Sequence, residues 1–121
     1  QSEVLFPSGG NELNDAGKAE MTKLASALLD LAKEIPAEIN WVLRVDGHTD
    51  NVPLSGTGKY ADNWELSSAR ATSVVKFLIA QGVPANRLVA AGFGEYQPIA
   101  EGDSDEARNQ NRRIELKLTE R

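Results

Sequence analysis

"INWVLRVDG", residues 39–47, alternates without a break: Ile39, Trp41, Leu43 and Val45 fall on one side, Asn40, Val42, Arg44 and Asp46 on the other. A period of two is the signature of a strand, and the segments on either side carry a different period. Upstream, Met21, Leu24, Leu28, Leu31 and Ile35 recur at three- and four-residue spacing. This predicts a helix that Asn14 or Asp15 can cap and Pro36 ends. Downstream, Leu66, Val74, Phe77 and Leu78 share one side of a second helix. Asp62 or Asn63 marks its start, with Asp62 and Glu65 in a capping-box pattern, and Gly82 followed by Pro84 marks its end.

Shorter elements complete the pattern. Val4, Leu5 and Phe6, stopped by Pro7 and the Gly9-Gly10 pair, predict a brief first strand. "NRLVAAGFG" (86–94) predicts a strand whose small and apolar content suggests burial. In "RRIELKLT" (112–119), Ile114, Leu116 and Leu118 alternate with Arg113, Glu115, Lys117 and Thr119, so a last strand should turn its charged side to water. Residues 95–111 read as a polar loop with a helical turn near Asp105. The order β-α-β-α-β-loop-β predicts an α/β, two-layer sandwich: a mixed four-stranded sheet with both helices on one face.

The 121 residues suit a single domain spanning 1–121, with no repeat, low-complexity tract or linker. A hydrophobic content of 40% and a charged content of 26% are those of an ordinary globular chain. The net charge of -5 argues against nucleic acid or an anionic membrane surface as a partner. Without cysteine there is neither a disulfide nor a thiolate metal site. No apolar run reaches the roughly 18 residues of a membrane span, and no signal-peptide pattern is present. Because the chain opens on Gln1, it is expected to be a mature or excised domain, with membrane attachment only through a segment outside it.

The stretch between central strand and second helix, "HTDNVPLSGTGKYADNWELSSARA" (48–71), concentrates the chemistry. A phosphate-binding loop would need Gly where Pro53 stands and Ser or Thr where Tyr60 stands, so "GTGK" is a surface loop. A hydrolase would recruit His48, Asp50 and Ser55 or Ser67, but one histidine near several serines is a common coincidence and there is no G-x-S-x-G elbow. His48 therefore reads as a structural residue satisfied by backbone groups. One histidine without cysteine would need several carboxylates to hold zinc, and no such spacing is present, so neither metal nor cofactor is expected. A clamp fits better. Asp50 follows the central strand and can accept an ammonium group, while Arg70, in the second turn of the helix, offers a planar fork to a carboxylate. Position alone leaves open whether the two grip a zwitterion or simply pair with each other.

Four segments in order, "GHTDNVP" (47–53), "NWELSSARA" (63–71), "GVPANRLVAAGFGEYQP" (82–98) and "RNQNRRIEL" (108–116), resemble the OmpA-like peptidoglycan-binding domain. The resemblance runs from "VLFPSGGNEL" (4–13) to the last strand, and the long loop through residues 52–61 leans toward the MotB-like branch. It implies a non-enzymatic, periplasmic, cell wall-associated domain of the cell envelope, of the kind found on outer membrane proteins. Such a domain binds the diaminopimelate of the peptidoglycan stem peptide and so anchors a parent protein. Asp50 and Arg70 match the two residues that bind diaminopimelate in that family, and Leu66 and Ser67 would line the same pocket. Asn111, Arg112 and Arg113 match the "NRR" motif, Arg108 matches an arginine upstream of it, and Asn109 replaces the alanine usual there. Phe6 matches an aromatic of the first strand near the ligand. Pairing into a homodimer, as MotB-like domains do, is the alternative role.

Overall fold

The structure, a computed structural model, describes residues 13–53 and 60–120. The expected first strand at Val4–Phe6, and residues 54–59 of the long loop, lie outside the described residues. The rest forms a mixed α/β fold of three helices and a three-stranded sheet, in the order α1 (Asp15–Ala32), β1 (Trp41–His48), α2 (Asn63–Ala80), β2 (Leu88–Gly92), α3 (Asp105–Asn111), β3 (Arg113–Glu120), with a single 3-10 turn at Ala85–Arg87 before β2.

β1 is the centre of the sheet, parallel to β2 and antiparallel to β3. Its alternation works as predicted on the helix side: Leu43 and Val45 pack with Met21, Ala25 and Leu28 of α1 and with Ala71, Val74 and Leu78 of α2. Both helices thus lie on one face of the sheet. The Asn14 side chain accepts from Gly17 N at 2.8 Å and the Asp62 side chain from Glu65 N at 2.9 Å, so both N-caps form. Gly82, at φ +105°, ends α2 in the left-handed conformation. α1 ends earlier than expected, at Ala32 rather than next to Pro36, and Leu31 is exposed.

Two strands depart from expectation. β2 is half exposed rather than buried: with β1 on only one flank among the described residues, Val89 and Ala90 are both exposed. On β3 the polarity is partly inverted. Leu116 and Leu118, opposite Val45 and Leu43, are exposed, with α2 packed over β1 and β2, while Arg113 on the charged side is buried. The expected helical turn near Asp105 is a two-turn helix, α3, capped by Ser104, whose side chain accepts from Ala107 N at 3.1 Å. Among the described residues no helix is long and apolar enough to cross a membrane.

Candidate functional site

Pairing between β1 and β2 continues past the regular ladder, with Phe93 N donating to Gly47 O and Thr49 N to Gly94 O, each at 2.9 Å. This fixes the backbone that delivers Asp50. The amino-terminal half of α2 crosses the same end of the sheet at very close range, because Gly47 and Gly92 present no side chain to it. A Cβ at Gly47 would come within 2.2 Å of Ser67 O, and one at Gly92 within 2.0 Å of Ser68 Oγ. The helix start, which carries Asn63, Leu66, Ser67 and Arg70, is thereby seated at the carboxyl end of β1.

Asp50 is only 9% exposed and Arg70 only 5%, so acid and guanidinium are both buried groups rather than rim residues. One Asp50 carboxylate oxygen, Oδ1, accepts from Val52 N at 3.0 Å, and the other, Oδ2, accepts from Arg112 Nη1. Asn63 Nδ2 donates to Asp50 O at 3.3 Å and Val52 O at 3.1 Å, tying the loop to the first turn of α2. Arg112 follows α3 directly and also donates to Asn109 Oδ1. Arg108 Nε donates to Asn51 Oδ1 at 3.3 Å, and Asn51 Nδ2 donates to Asp103 Oδ1 at 2.7 Å. Three elements, the end of β1, the start of α2 and the end of α3, therefore converge on Asp50.

Other residues from the sequence reading have structural duties. Leu66 is buried, and Ser67 Oγ, fully buried, accepts from Gly94 N at 3.0 Å while donating to Trp64 O at 3.1 Å. Asn111 is committed to the 95–104 loop: Oδ1 accepts from Ile99 N at 2.9 Å and Ala100 N at 3.0 Å, and Nδ2 donates to Ala100 O at 2.9 Å. Phe6 lies outside the described residues. Sequence reasoning missed Asn63, and it missed Arg112 as the partner of Asp50. The signal for Asn63 is slight, an amide at the first position of a helix beside a loop that needs donors.

His48 does not have the expected backbone partners. Its ring is 5% exposed and lies flat on Phe93, centroids 4.9 Å apart with 9° between planes, and neither ring nitrogen has a hydrogen-bond partner. Burial holds its pKa below the ordinary value, and the Arg113 guanidinium adds to this against the smaller opposing pull of Glu115 and Asp46. The strand register, with Asp46 opposite Glu115, brings Asp46, His48 and Glu115 together so that one ligand atom from each lies within 4.8 Å of the others. Spacing along the chain could not show this. The arrangement suits a salt-bridge network better than a metal. Arg44 grips Asp46 through bonds of 2.7 and 2.9 Å and Arg113 pairs with Glu115, so a cation would have to displace two guanidinium groups. Glu115 is held below the usual carboxylate range chiefly by its hydrogen bond from Arg113.

Comparison with known proteins agrees with this architecture. The sequence matches the model of the OmpA family over residues 5–112. It is 34% identical to motility protein B of Helicobacter pylori over 95% of this chain and 42% of that protein. It is 33% identical to the outer-membrane lipoprotein YfiB of Pseudomonas aeruginosa over 95% of this chain and 61% of the other. The chain thus spans less than two thirds of either relative. A crystal structure of a MotB-like protein from Desulfovibrio vulgaris superposes with a TM-score of 0.87 at 32% identity, covering 99% of this chain and 70% of that one. With a family match over most of its length and the same fold in a MotB-like structure, this chain belongs to the OmpA family, in its MotB-like branch.

Proposed function

We propose that this domain binds peptidoglycan without covalent chemistry, through the diaminopimelate of the stem peptide, and so anchors a longer envelope protein to the cell wall. It is a periplasmic anchor and not an enzyme. The observation that carries this reading is the buried Asp50 carboxylate, held at the mouth of β1 by groups from α2 and α3. Each carboxylate oxygen has two acceptor directions, and one direction on each is taken by Val52 N and Arg112. The remaining directions suit an ammonium group, while Arg70 and Arg112 suit the carboxylate at the same end of diaminopimelate. Charge-assisted hydrogen bonds contribute about 1.5–3 kcal/mol each. Two or three of them, less ordering costs, give micromolar to millimolar binding that a polymeric wall strengthens by avidity.

Calorimetric titration with two stem peptides that differ only in diaminopimelate or lysine tests the reading. Lysine lacks the second carboxylate and so forgoes the charge-assisted hydrogen bonds that Arg70 and Arg112 would give it, a difference of about 1.5–3 kcal/mol or roughly ten- to a hundredfold in affinity. The diaminopimelate peptide should bind tighter, and the gap should shrink in Arg70→Ala. Equal affinities in the parent would overturn the clamp.

Pairing with a second copy is supported by a separate observation: Leu116 and Leu118 are exposed on β3, one of the two outer strands among the described residues. Sedimentation velocity across protein concentrations tests it, and a constant sedimentation coefficient would rule it out.

A further inference from the structure

We infer that Trp64 and Tyr96 form a stacking platform for one sugar ring of the glycan strand, set beside the stem-peptide clamp. The inference rests on the peptidoglycan reading above and adds a second ligand chemistry, an N-acetylated pyranose, at residues outside the clamp. Trp64 is 48% exposed and Tyr96 60%, a large apolar area to leave in water. Their rings are stacked, with centroids 5.1 Å apart and 25° between planes, so each braces the other and the ring face turned away from the stack is a preformed surface that needs little ordering on binding. A pyranose has an apolar face of C–H groups that such a surface can cover while its hydroxyls stay in water or find polar partners.

The platform is tied to the clamp by backbone rather than merely near it. Trp64 follows Asn63, the residue that holds the Asp50 and Val52 carbonyls. Gly94, at φ +62°, passes under both rings: a Cβ there would come within 3.3 Å of Trp64 and 3.5 Å of Tyr96. Gly94 O in turn accepts from Thr49 N, next to Asp50. A recess of about 210 Å³ is lined by Asn51, which adjoins Asp50 in the chain, by Glu95, which adjoins Tyr96, and by Asp103. These supply acceptors and an amide for sugar hydroxyls and an acetamido group. In peptidoglycan the stem peptide hangs from the glycan, so a domain that grips the peptide has a sugar within reach of this surface.

The test titrates the domain with two probes, a free diaminopimelate stem peptide and the same peptide carried on its N-acetylglucosaminyl-N-acetylmuramyl disaccharide. The parent should bind the disaccharide form about tenfold tighter. Tyr96→Ala and Trp64→Ala should each bring the two probes to equal affinity without changing the affinity for the free peptide, and Tyr96→Phe should keep the preference. If Trp64→Ala fails to fold, the exposed Tyr96 decides alone. Equal affinity of the parent for both probes, or a preference that survives Tyr96→Ala, overturns the platform and leaves the clamp standing. Failure of the parent to bind either probe overturns both.

Discussion

Gly47 and Gly92 face each other across the parallel pair of β1 and β2, Gly47 under Ser67 of α2 and Gly92 under Ser67 and Ser68. The obstacle to a side chain at Gly47 is backbone, the Ser67 carbonyl, which cannot swing away. Gly47→Ala should therefore lower unfolding free energy by about 1–3 kcal/mol, the range of overpacked cores, as read by urea denaturation. The closest obstacle at Gly92 is the Ser68 hydroxyl, but the Ser68 amide nitrogen is at 2.7 Å. Ser68→Ala should rescue Gly92→Ala only in part, whereas full rescue would mean the helix can lift off the sheet at little cost.

Asp50 and Arg112 should be energetically coupled. Replacing Arg112 by Gln leaves a buried carboxylate with less compensation, and Asp50→Asn leaves a guanidinium short of its anion. A double-mutant cycle in thermal or urea unfolding should give a coupling of about 0.5–3 kcal/mol, and Asp50→Asn should also abolish co-sedimentation with purified peptidoglycan. Additive effects would reduce the ion pair to an incidental contact.

His48 makes stability depend on pH in a defined direction. Because burial and Arg113 lower its pKa in the folded state, the unfolded chain takes up a proton first as pH falls. The stabilisation is complete above the unfolded value of 6.5 and declines as pH drops below it toward the folded value. Glu115, also lowered, adds stability above its unfolded value of 4.5 that is lost as pH falls further. Urea midpoints measured from pH 8 down to about pH 3 should fall in two stages, the second below pH 4.5, and His48→Gln should flatten the first stage only. An unchanged slope between pH 6.5 and 5 in that variant would place the proton uptake elsewhere.

Asn63 should act on both the loop and the ligand. Asn63→Ala removes two bonds that position Asp50 and Val52, at a cost of about 1 kcal/mol for each net hydrogen bond. Peptide affinity should fall while the diaminopimelate-over-lysine preference persists, because the charged groups remain. Calorimetry on this variant with both peptides separates positioning from recognition.

What could be read along the chain was local. Caps at Asn14 and Asp62 and the stop at Gly82 follow from side-chain and backbone chemistry within one turn, and all three are found. The positions of Asp50, on the loop after β1, and Arg70, on α2, followed from the same element order. The misses are non-local. The period of β3 gives two faces but not which neighbour covers each: Arg113 is buried where the returning loop brings Gln97 O to it at 2.9 Å, whereas Leu116 and Leu118 are left exposed. His48 was expected to be satisfied locally, yet its surroundings come from Phe93, just past the strand on one side, and Glu115 on the strand to the other. Asp50 meets Arg112 only because α3 closes a gap of sixty-two residues along the chain.

The central place of β1 has a mechanical side. Asp50 follows directly from a strand that is hydrogen-bonded along both edges, to β2 through Leu43–Gly47 and to β3 through Trp41–His48. Ladder bonds run across the strand direction, so tension drawn along β1 from a wall-bound ligand loads two rows of bonds in shear at once instead of peeling them one at a time. A tether pulled at residue 50 should thus yield at higher force in single-molecule stretching than one pulled at residue 89 on the half-exposed β2, so that load applied at the proposed binding site meets the stiffest part of the sheet.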